Sequence, residues 1–471
     1  MKTKRIIKVV AFCLILFLFL NHIYDVFSWK DTAGDYYSTV DSLYKLEDDL
    51  VDVMFMGSSK CYVNINNALL WDEHGIASFN MSISGQDIVS TYHSLVEALK
   101  TQSPDIVCFE LFGTLFSGYA VESNMYRNTL PYKWSLNALS VVNEIGGESK
   151  KELFFRWPII HTRYKEVKKE DFMKERPAYL GYTCGFETQN IGLLNTYEGE
   201  ELYPIGENEE KWLRKIIDLT KEKGIQLCFF MAPCETNAHD QMRLNYVEAI
   251  AKENNILMVN LSEMQEEIGF DSDTDFADWL HTNYWGAQKT TKYMGHFLKD
   301  NYDIEDRRGQ AGYEIWEENS RVRQHEYNNY LLPLTSTLDD FFAQLSHMEE
   351  GYTVIVETNG NYYADTALID AYAASLGIAE IDGRSGIWIL ENGDVKESYF
   401  GENFGHYFEL GTSDVLLNRE NGLSNIIINK MPYVRAWDGI NVIVYDNILD
   451  KVIDSISFSA TEQYMMQRLK Y

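Results

Sequence analysis

The stretch "VDVMFMGSSKCYVNI", residues 51–65, decides how this chain is read. Its first half is apolar and strand-length, it stops at Gly57, and Ser58 and Ser59 follow at once. Two readings are open. Gly-Ser-Ser is a common loop with no chemistry; alternatively, one serine is a nucleophile at the carboxyl end of a strand, where open α/β sheets place their ligands. The tripeptide alone does not decide, and the residues that bear on it lie more than two hundred positions later.

Outward from that stretch, strand-like and helix-like segments alternate. "ASFNMSI" from Ala77 is a second short strand, and "QDIVSTYHSLVEALKTQ" puts apolar residues at 88, 89, 92, 95, 96 and 99, the spacing of a helix. "PDIVCFEL" is a buried strand opened by Pro104, and "EEKWLRKIIDLTKEKG" a helix closed by Gly224. "IQLCFFMAP", "NYVEAIAKENN", "ILMVNL" and "YWGAQKTTKYMGHFLKD" continue as strand, helix, strand and helix. This order predicts an α/β fold, a parallel sheet sandwiched by helices. The section from about 113 to 205, rich in Tyr, Arg and Asn, breaks the rhythm and is too long for an ordinary loop. It reads as an insertion that walls a cleft or as a structural subdomain. Residues 305–349 read as a charged helical linker, and "YTVIVE" opens a second, smaller α/β domain over 350–471.

The chain has 471 residues, more than one typical core, so two domains are expected. A formal charge of −30 excludes nucleic acid as a partner, since that binding is driven by Lys and Arg on phosphates. It equally excludes docking on anionic lipid by surface charge alone. Lys2, Lys4, Arg5 and Lys8 precede an unbroken apolar run, Val9 to Leu20, and apolar residues continue to Phe27. Ile6 to Phe27 is long enough to cross a bilayer, with the basic flank cytoplasmic and everything beyond about residue 28 outside. A retained anchor over 1–28 is the preferred reading; a signal peptide cleaved near Val26-Phe27-Ser28 is the other. Six cysteines without CxxC spacing read as small core residues, with at most one chance pair, and not as a zinc site or disulfide scaffold. The histidines show no H-x-x-x-H pair and no glycine-rich phosphate loop follows the first strand, so neither metal nor nucleotide cofactor is expected.

The segment "DTDFADWLHTNYWGAQK", from Asp273, carries Asp278 three residues before His281, just ahead of a helix. A carboxylate so placed can orient an imidazole, whose other nitrogen then takes a proton from a hydroxyl. Asp275 reads as a cap, and Gly286 and Lys289 as structural.

Gly57-Ser58-Ser59 after the first strand, Gly85 after the second in "FNMSISGQD", and Asp278-x-x-His281 before the last helix occur in order. Over about residues 50–300 this arrangement resembles the SGNH, or GDSL-like, hydrolase superfamily. It looks closest to its membrane-anchored extracytoplasmic members, including D-alanyl transfer proteins of teichoic acid synthesis and polysaccharide O-acetyltransferases. The resemblance implies a flavodoxin-like sheet, Ser59 rather than Ser58 as nucleophile, and Asp278 and His281 as its partners. It also implies an oxyanion hole from the N–H groups of Ser59 and Gly85, and no cofactor. One departure matters: an asparagine that the family carries after the third strand is missing from "DIVCFELFGTLF". Asn124, Asn128 or the backbone of Gly113 could stand in for it. The candidate substrate contacts are His161 and Arg163, in "IIHTRY", and Asn283, with structural roles open for all three.

The function so implied is a membrane-anchored extracytoplasmic serine esterase or O-acyltransferase acting on acyl, chiefly acetyl, esters of a cell-surface glycan. Its partners would be that polysaccharide, an acyl donor and a membrane-bound acyltransferase. The rival is a non-catalytic glycan-binding or assembly protein that retains the fold. The C-terminal segments "YTVIVETNGNYYADTALIDAYAASLGIAEIDGRSGIWIL" and "DGINVIVYDNILDKVIDSISFSA" resemble the interleukin-like EMT inducer type of domain across about 350–460. That resemblance implies an accessory, carbohydrate-binding module without a catalytic constellation.

Overall fold

The structure is a computed structural model. It describes residues 2–27, 37–115, 122–167, 171, 179–192, 194, 197, 199–348, 350–359, 366–378, 385–434, 439–459 and 466–468. The chain divides into two compact units, Met1–Ser320 and Arg321–Tyr471.

In the first unit, strands β1 (Val53–Met56), β2 (Ser78–Asn80), β3 (Ile106–Glu110), β4 (Gln226–Met231) and β5 (Leu257–Asn260) form one sheet in the order β2-β1-β3-β4-β5. Every described pairing in it is parallel. This is the flavodoxin-like order, whose topological switch point lies between β1 and β3. Alternation along each strand feeds two cores. Met54, Met56, Val107, Phe109, Phe229 and Met231 face one, with the helices Ile88–Ala98, Glu207–Lys223 and Ala238–Glu253 over them. Val53, Phe55, Cys108, Cys228 and Phe230 face the other, under the helices Ser59–Asn64, Asn67–His74 and Tyr284–Asn301. A sheet buried on both faces needs continuous apolar strands, which is why these segments lack polar alternation.

The N-terminal helix spans Lys2–Phe27, and Arg5–Tyr24 within it is long and apolar enough to cross a membrane. All six cysteines are free thiols, so no chance pair forms; Cys61, Cys108, Cys228 and Cys234 are buried. Among the described residues of the 113–205 section, those between 122 and 165 form short helices, among them Leu136–Ile145 and Lys150–Phe155, around a small core of Leu130, Val142 and Leu153.

The stretch expected to be a linker, 305–349, is instead divided between the two cores. Trp316 packs in the first and donates to the Ser78 carbonyl at 2.9 Å, while Arg307 grips Asp52 with two bonds of 2.8 and 3.0 Å. Phe341, Phe342 and Leu345 belong to the second core. The helix Glu314–Leu331 runs across the division.

The second unit carries a six-stranded antiparallel sheet built on β6 (Tyr352–Thr358), β7 (Gly386–Glu391), β8 (Asp394–Phe400), β13 (Gly439–Asp446), β14 (Lys451–Ser459) and β15 (Met466–Arg468). A second sheet holds β9 (Phe404–Leu410), β10 (Ser413–Glu420), β11 (Leu423–Ile428) and β12 (Met431–Pro432). Ile355, Ile389, Ile443, Leu417 and Ile426 pack in the core that the two sheets share. The quoted residues 360–365, 379–384, 438 and 460, on which part of the C-terminal resemblance rests, lie outside the described residues.

One buried acid in this unit has a stability consequence. Glu357 is fully buried and accepts from Asn441 Nδ2 at 2.6 Å. Burial, opposed by hydrogen bonds from Asn441 and Ser424 and by the Arg419 charge, pushes its pKa up to about 7. The folded state then holds a proton that the unfolded chain, with an ordinary glutamate near pKa ~4.3, releases first. Stability is therefore full below that unfolded value and declines as pH rises to the folded one, by roughly 4 kcal/mol in all. Melting of the full chain between pH 4.5 and 7.5 should show this decline, and Glu357→Gln should flatten it; an unchanged slope in the variant would exclude Glu357 as its source.

Candidate active site

β1 ends at Gly57, where the backbone takes φ +150° and any added Cβ would stand 2.7 Å from the Cβ of Glu110. Only glycine passes there, so the chain leaves the strand tight against the end of β3. Ser58 then caps the helix Ser59–Asn64: its Oγ accepts from Lys60 N at 3.3 Å and donates to Glu110 Oε2 at 3.0 Å. Ser58 is buried and spent. Ser59, one residue on, is half-buried, and its Oγ lies 2.9 Å from His281 Nε2.

The segment bearing His281 is a tight hairpin-like loop, closed by a bridge between Phe276 and Thr282 and by Ala277 N to His281 O at 2.9 Å. Asp278 Oδ1 accepts the backbone N–H groups of Leu280 and His281 at 2.7 and 2.8 Å, so the carboxylate is fixed by its own loop. Its two oxygens lie 3.1 and 3.0 Å from His281 Nδ1. Burial works against the Asp278 charge, but the bonds from the His281 ring and the two backbone N–H groups prevail and hold its pKa below the usual carboxylate value. A carboxylate only accepts, so Nδ1 carries the proton and Nε2 is left as the acceptor facing Ser59.

Gly85 is brought alongside by pairing that outlasts the sheet: Met81 N bonds Phe55 O at 2.8 Å and Ile83 N bonds Gly57 O at 3.2 Å. Gly85 has φ +61°, and a side chain there would collide with the Asn124 amide. Asn124 thus lies against Gly85, whereas Asn128 is committed to structure, accepting from Gln86 Nε2 at 3.2 Å and donating to Asn124 O at 2.8 Å. Gly113 packs its Cα face on the Gln86 carbonyl. A cavity of about 580 Å³ adjoins Gly85 and Asn124, lined also by Asp87, Asn128, Glu144 and Glu148; none of its described lining residues is basic.

The other expected site residues are placed elsewhere. Asn283 is fully buried and caps the helix Tyr284–Asn301, accepting from Trp285 and Gly286 N–H and donating to Thr274 O at 2.6 Å. Arg163 is engaged by Asp171 at 2.7 Å and by Val26 O at 3.3 Å, and His161 lies exposed on the same turn. The guanidinium is used to hold the N-terminal helix. Asp275 is a loop brace, paired with Lys289 at 2.7 Å.

Two residues of the site were not anticipated. Lys60, 1% exposed, donates from Nζ to the carbonyls of Leu280 and Pro233, the latter at 3.3 Å, and lies 4.9 Å from the Phe112 ring centroid. Glu110, fully buried, has its pKa raised by burial, against the opposing Phe112 N–H, Lys60 charge and Ser58 hydroxyl. Asn64 adds a second tie, accepting from Thr282 Oγ1 at 2.8 Å.

No known family profile matches the chain, and no curated protein does. Among solved structures, a candidate acylhydrolase from Bacteroides fragilis aligns at 11% identity with TM-score 0.29, over 58% of this chain and 99% of that one. A candidate GDSL-like lipase from Parabacteroides merdae aligns at 12% identity with TM-score 0.24, over 59% of this chain and 98% of its own. At this distance the assignment of the site rests on the chain's own geometry.

Lys60→Met should lower the rate at which a fluorophosphonate labels Ser59 by ~10²-fold, the size expected when reacting groups shift by about 1 Å. It should also destabilise the fold by roughly 3–5 kcal/mol, because one charge of a buried set is left alone. Adding Glu110→Gln should recover the melting temperature but not the labelling rate. Recovery of both would reduce Lys60 to a charge-balancing role.

Proposed function

We propose that the first unit is a serine esterase or O-acyltransferase of the SGNH type, anchored by its N-terminal helix and facing the cell exterior, which acts on acyl esters of a cell-surface glycan. The reading is carried by one observation: Ser59 Oγ, His281 and Asp278 form a continuous hydrogen-bonded chain, 2.9 Å at the serine and 3.0 Å at the carboxylate. A hydroxyl so placed can lose its proton to Nε2 as Oγ attacks the acyl carbon. The carbonyl electrons move onto its oxygen, which the N–H groups of Ser59 and Gly85 would hold, with Asn124 Nδ2 as the third donor. Collapse expels the alcohol, which takes the proton from His281 and leaves the acyl on Ser59. Water or a sugar hydroxyl then gives its proton to Nε2 and attacks the acyl carbon; collapse breaks the bond to Ser59 Oγ, which takes the proton back from His281, so that water completes an esterase and the hydroxyl a transferase.

The cavity beside Gly85 supports a neutral or cationic ester over an anionic one, since carboxylates and amides line it. Acetylated sugars fit that chemistry. The second unit, in this reading, is an accessory glycan-binding domain of the interleukin-like EMT inducer type, and a membrane-bound acyltransferase would supply acyl groups if transfer is the reaction.

A fluorophosphonate should label Ser59 and no other serine. Ser59→Ala should abolish labelling, and His281→Ala should cut turnover of an acetyl ester by roughly 10⁴–10⁶-fold. Failure of the wild-type protein both to take the probe and to release acetate would return the chain to the binding class. Separately, Asn124→Ala should lower kcat ~10²–10³-fold at little-changed KM if its amide serves the oxyanion; a change in KM alone would place it on the substrate instead.

A further inference from the structure

We propose that the insertion docks on the outer leaflet of the bilayer, with Trp134, Leu136, Phe154, Phe155 and Trp157 at headgroup level around the end of the N-terminal helix. The inference rests on reading that helix as a membrane anchor.

The exposure of these residues is the first reason. Leu136 is 87% exposed, Phe155 68%, Phe154 48% and Trp134 47%, although the same short helices bury Ala138, Val141 and Leu153 beneath them. The helices are therefore apolar on both faces, which water does not favour and which marks an interaction surface. The outer residues are held together and not scattered: Trp134 meets Phe154 ring to ring at 5.7 Å, and Phe154 meets Phe155 at 5.2 Å. Buried Arg156 lies 4.1 Å from the Trp134 centroid and donates to Tyr132 O at 2.6 Å, which fixes the indole in its outward position.

Continuity with the span is the second reason. Trp157 stacks on Phe27, the last residue of the N-terminal helix, at 6.1 Å and 9°. Tyr24 donates to Leu130 O at 3.4 Å and Arg163 to Val26 O at 3.3 Å. Arg5–Tyr24 is twenty residues. Twenty helical residues rise about 30 Å, the thickness of the hydrocarbon core. Tyr24 then stands at the outer boundary, and Leu130, Trp157 and the aromatic face stand at the same height. Trp and Tyr are the residues that favour that level.

Charge supplies the third. Lys150 and Lys151, on the helix that carries Phe154 and Phe155, and Lys165, beyond Trp157 in sequence, are exposed, alongside exposed Glu152 and Glu166, in a chain whose net charge is −30. Their ammonium groups can reach lipid phosphates while their stems lie along the apolar surface. The docked helices continue directly from Glu144, Glu148 and Ser149, which line the cavity beside Gly85. Docking would thus bring the esterase site to esters carried close to the membrane.

The test uses full-length protein in phosphatidylcholine–phosphatidylglycerol vesicles whose acyl chains are brominated near the glycerol. Tryptophan emission should be quenched, and Trp134→Phe with Trp157→Phe should remove a measurable part of that quenching while Ser59 labelling stays unchanged. A chain that resists carbonate extraction but loses no quenching in the variant overturns the docking and leaves the anchor standing. Extraction by carbonate would instead remove the anchor, and this inference with it. Cross-linking of two copies through Phe154→Cys, without quenching, would assign the face to self-association and also overturn the proposal.

Discussion

The geometry of the site depends on one buried ammonium. Lys60 lies on the helix Ser59–Asn64 and reaches the carbonyl of Pro233, just past β4, and that of Leu280, one residue before His281. Three separate chain segments are thereby tied to one point beneath the serine. An ammonium can serve them all because its three donors have no fixed plane. Burying such a charge is tolerable only with acceptors and an opposite charge near, and Glu110 supplies the latter from the end of β3. Glu110 in turn receives Ser58, so the two serines divide their work: the first braces the turn and the second faces His281.

That division explains what could be read in advance and what could not. Ser59, Gly85, Asp278 and His281 were legible because their spacing reflects strand ends and a loop that must converge on a parallel sheet. Lys60 and Glu110 carried no such mark. A lysine after Gly-Ser-Ser reads as solvated surface, and only the closing of Phe112 and the loop at 233–234 over it makes it a core residue. Arg163 shows the opposite sense: its guanidinium suits an anion, and the carboxylate it meets here is the chain's own Asp171. Residue type names a chemistry, whereas packing chooses the partner. Asn124 shows the same limit, since nothing in its local sequence ties it to Gly85, seated in a turn some forty positions earlier.

The second unit was legible at its buried strands and not at its half-exposed ones. β6 and β13 are buried along their whole length and read as apolar runs. β8, β9 and β10 alternate exposed and covered positions or face solvent entirely, and their polar residues hid them. A signal was present even so. Asn392-Gly393 and Asn421-Gly422 both have positive φ at each residue, the conformation that joins two strands by a two-residue turn. Read with the alternation around them, these two dipeptides predict the hairpins β7–β8 and β10–β11.

The insertion is where fold and function meet least predictably. It interrupts the alternation after β3, the position at which an open sheet of this order binds its ligand, and so it can supply side chains that the sheet lacks. Asn124 comes from its helix Glu122–Arg127, and Glu144 and Glu148 from the stretch that leads to Phe154 and Phe155. One length of chain therefore lines the cavity beside Gly85 and presents the aromatic face next to Phe27. Within it Arg156 holds the carbonyls of Leu130 and Tyr132 at 3.2 and 2.6 Å, and Leu130 O also accepts from Tyr24 of the N-terminal helix, so hydrogen bonds tie the insertion to that helix.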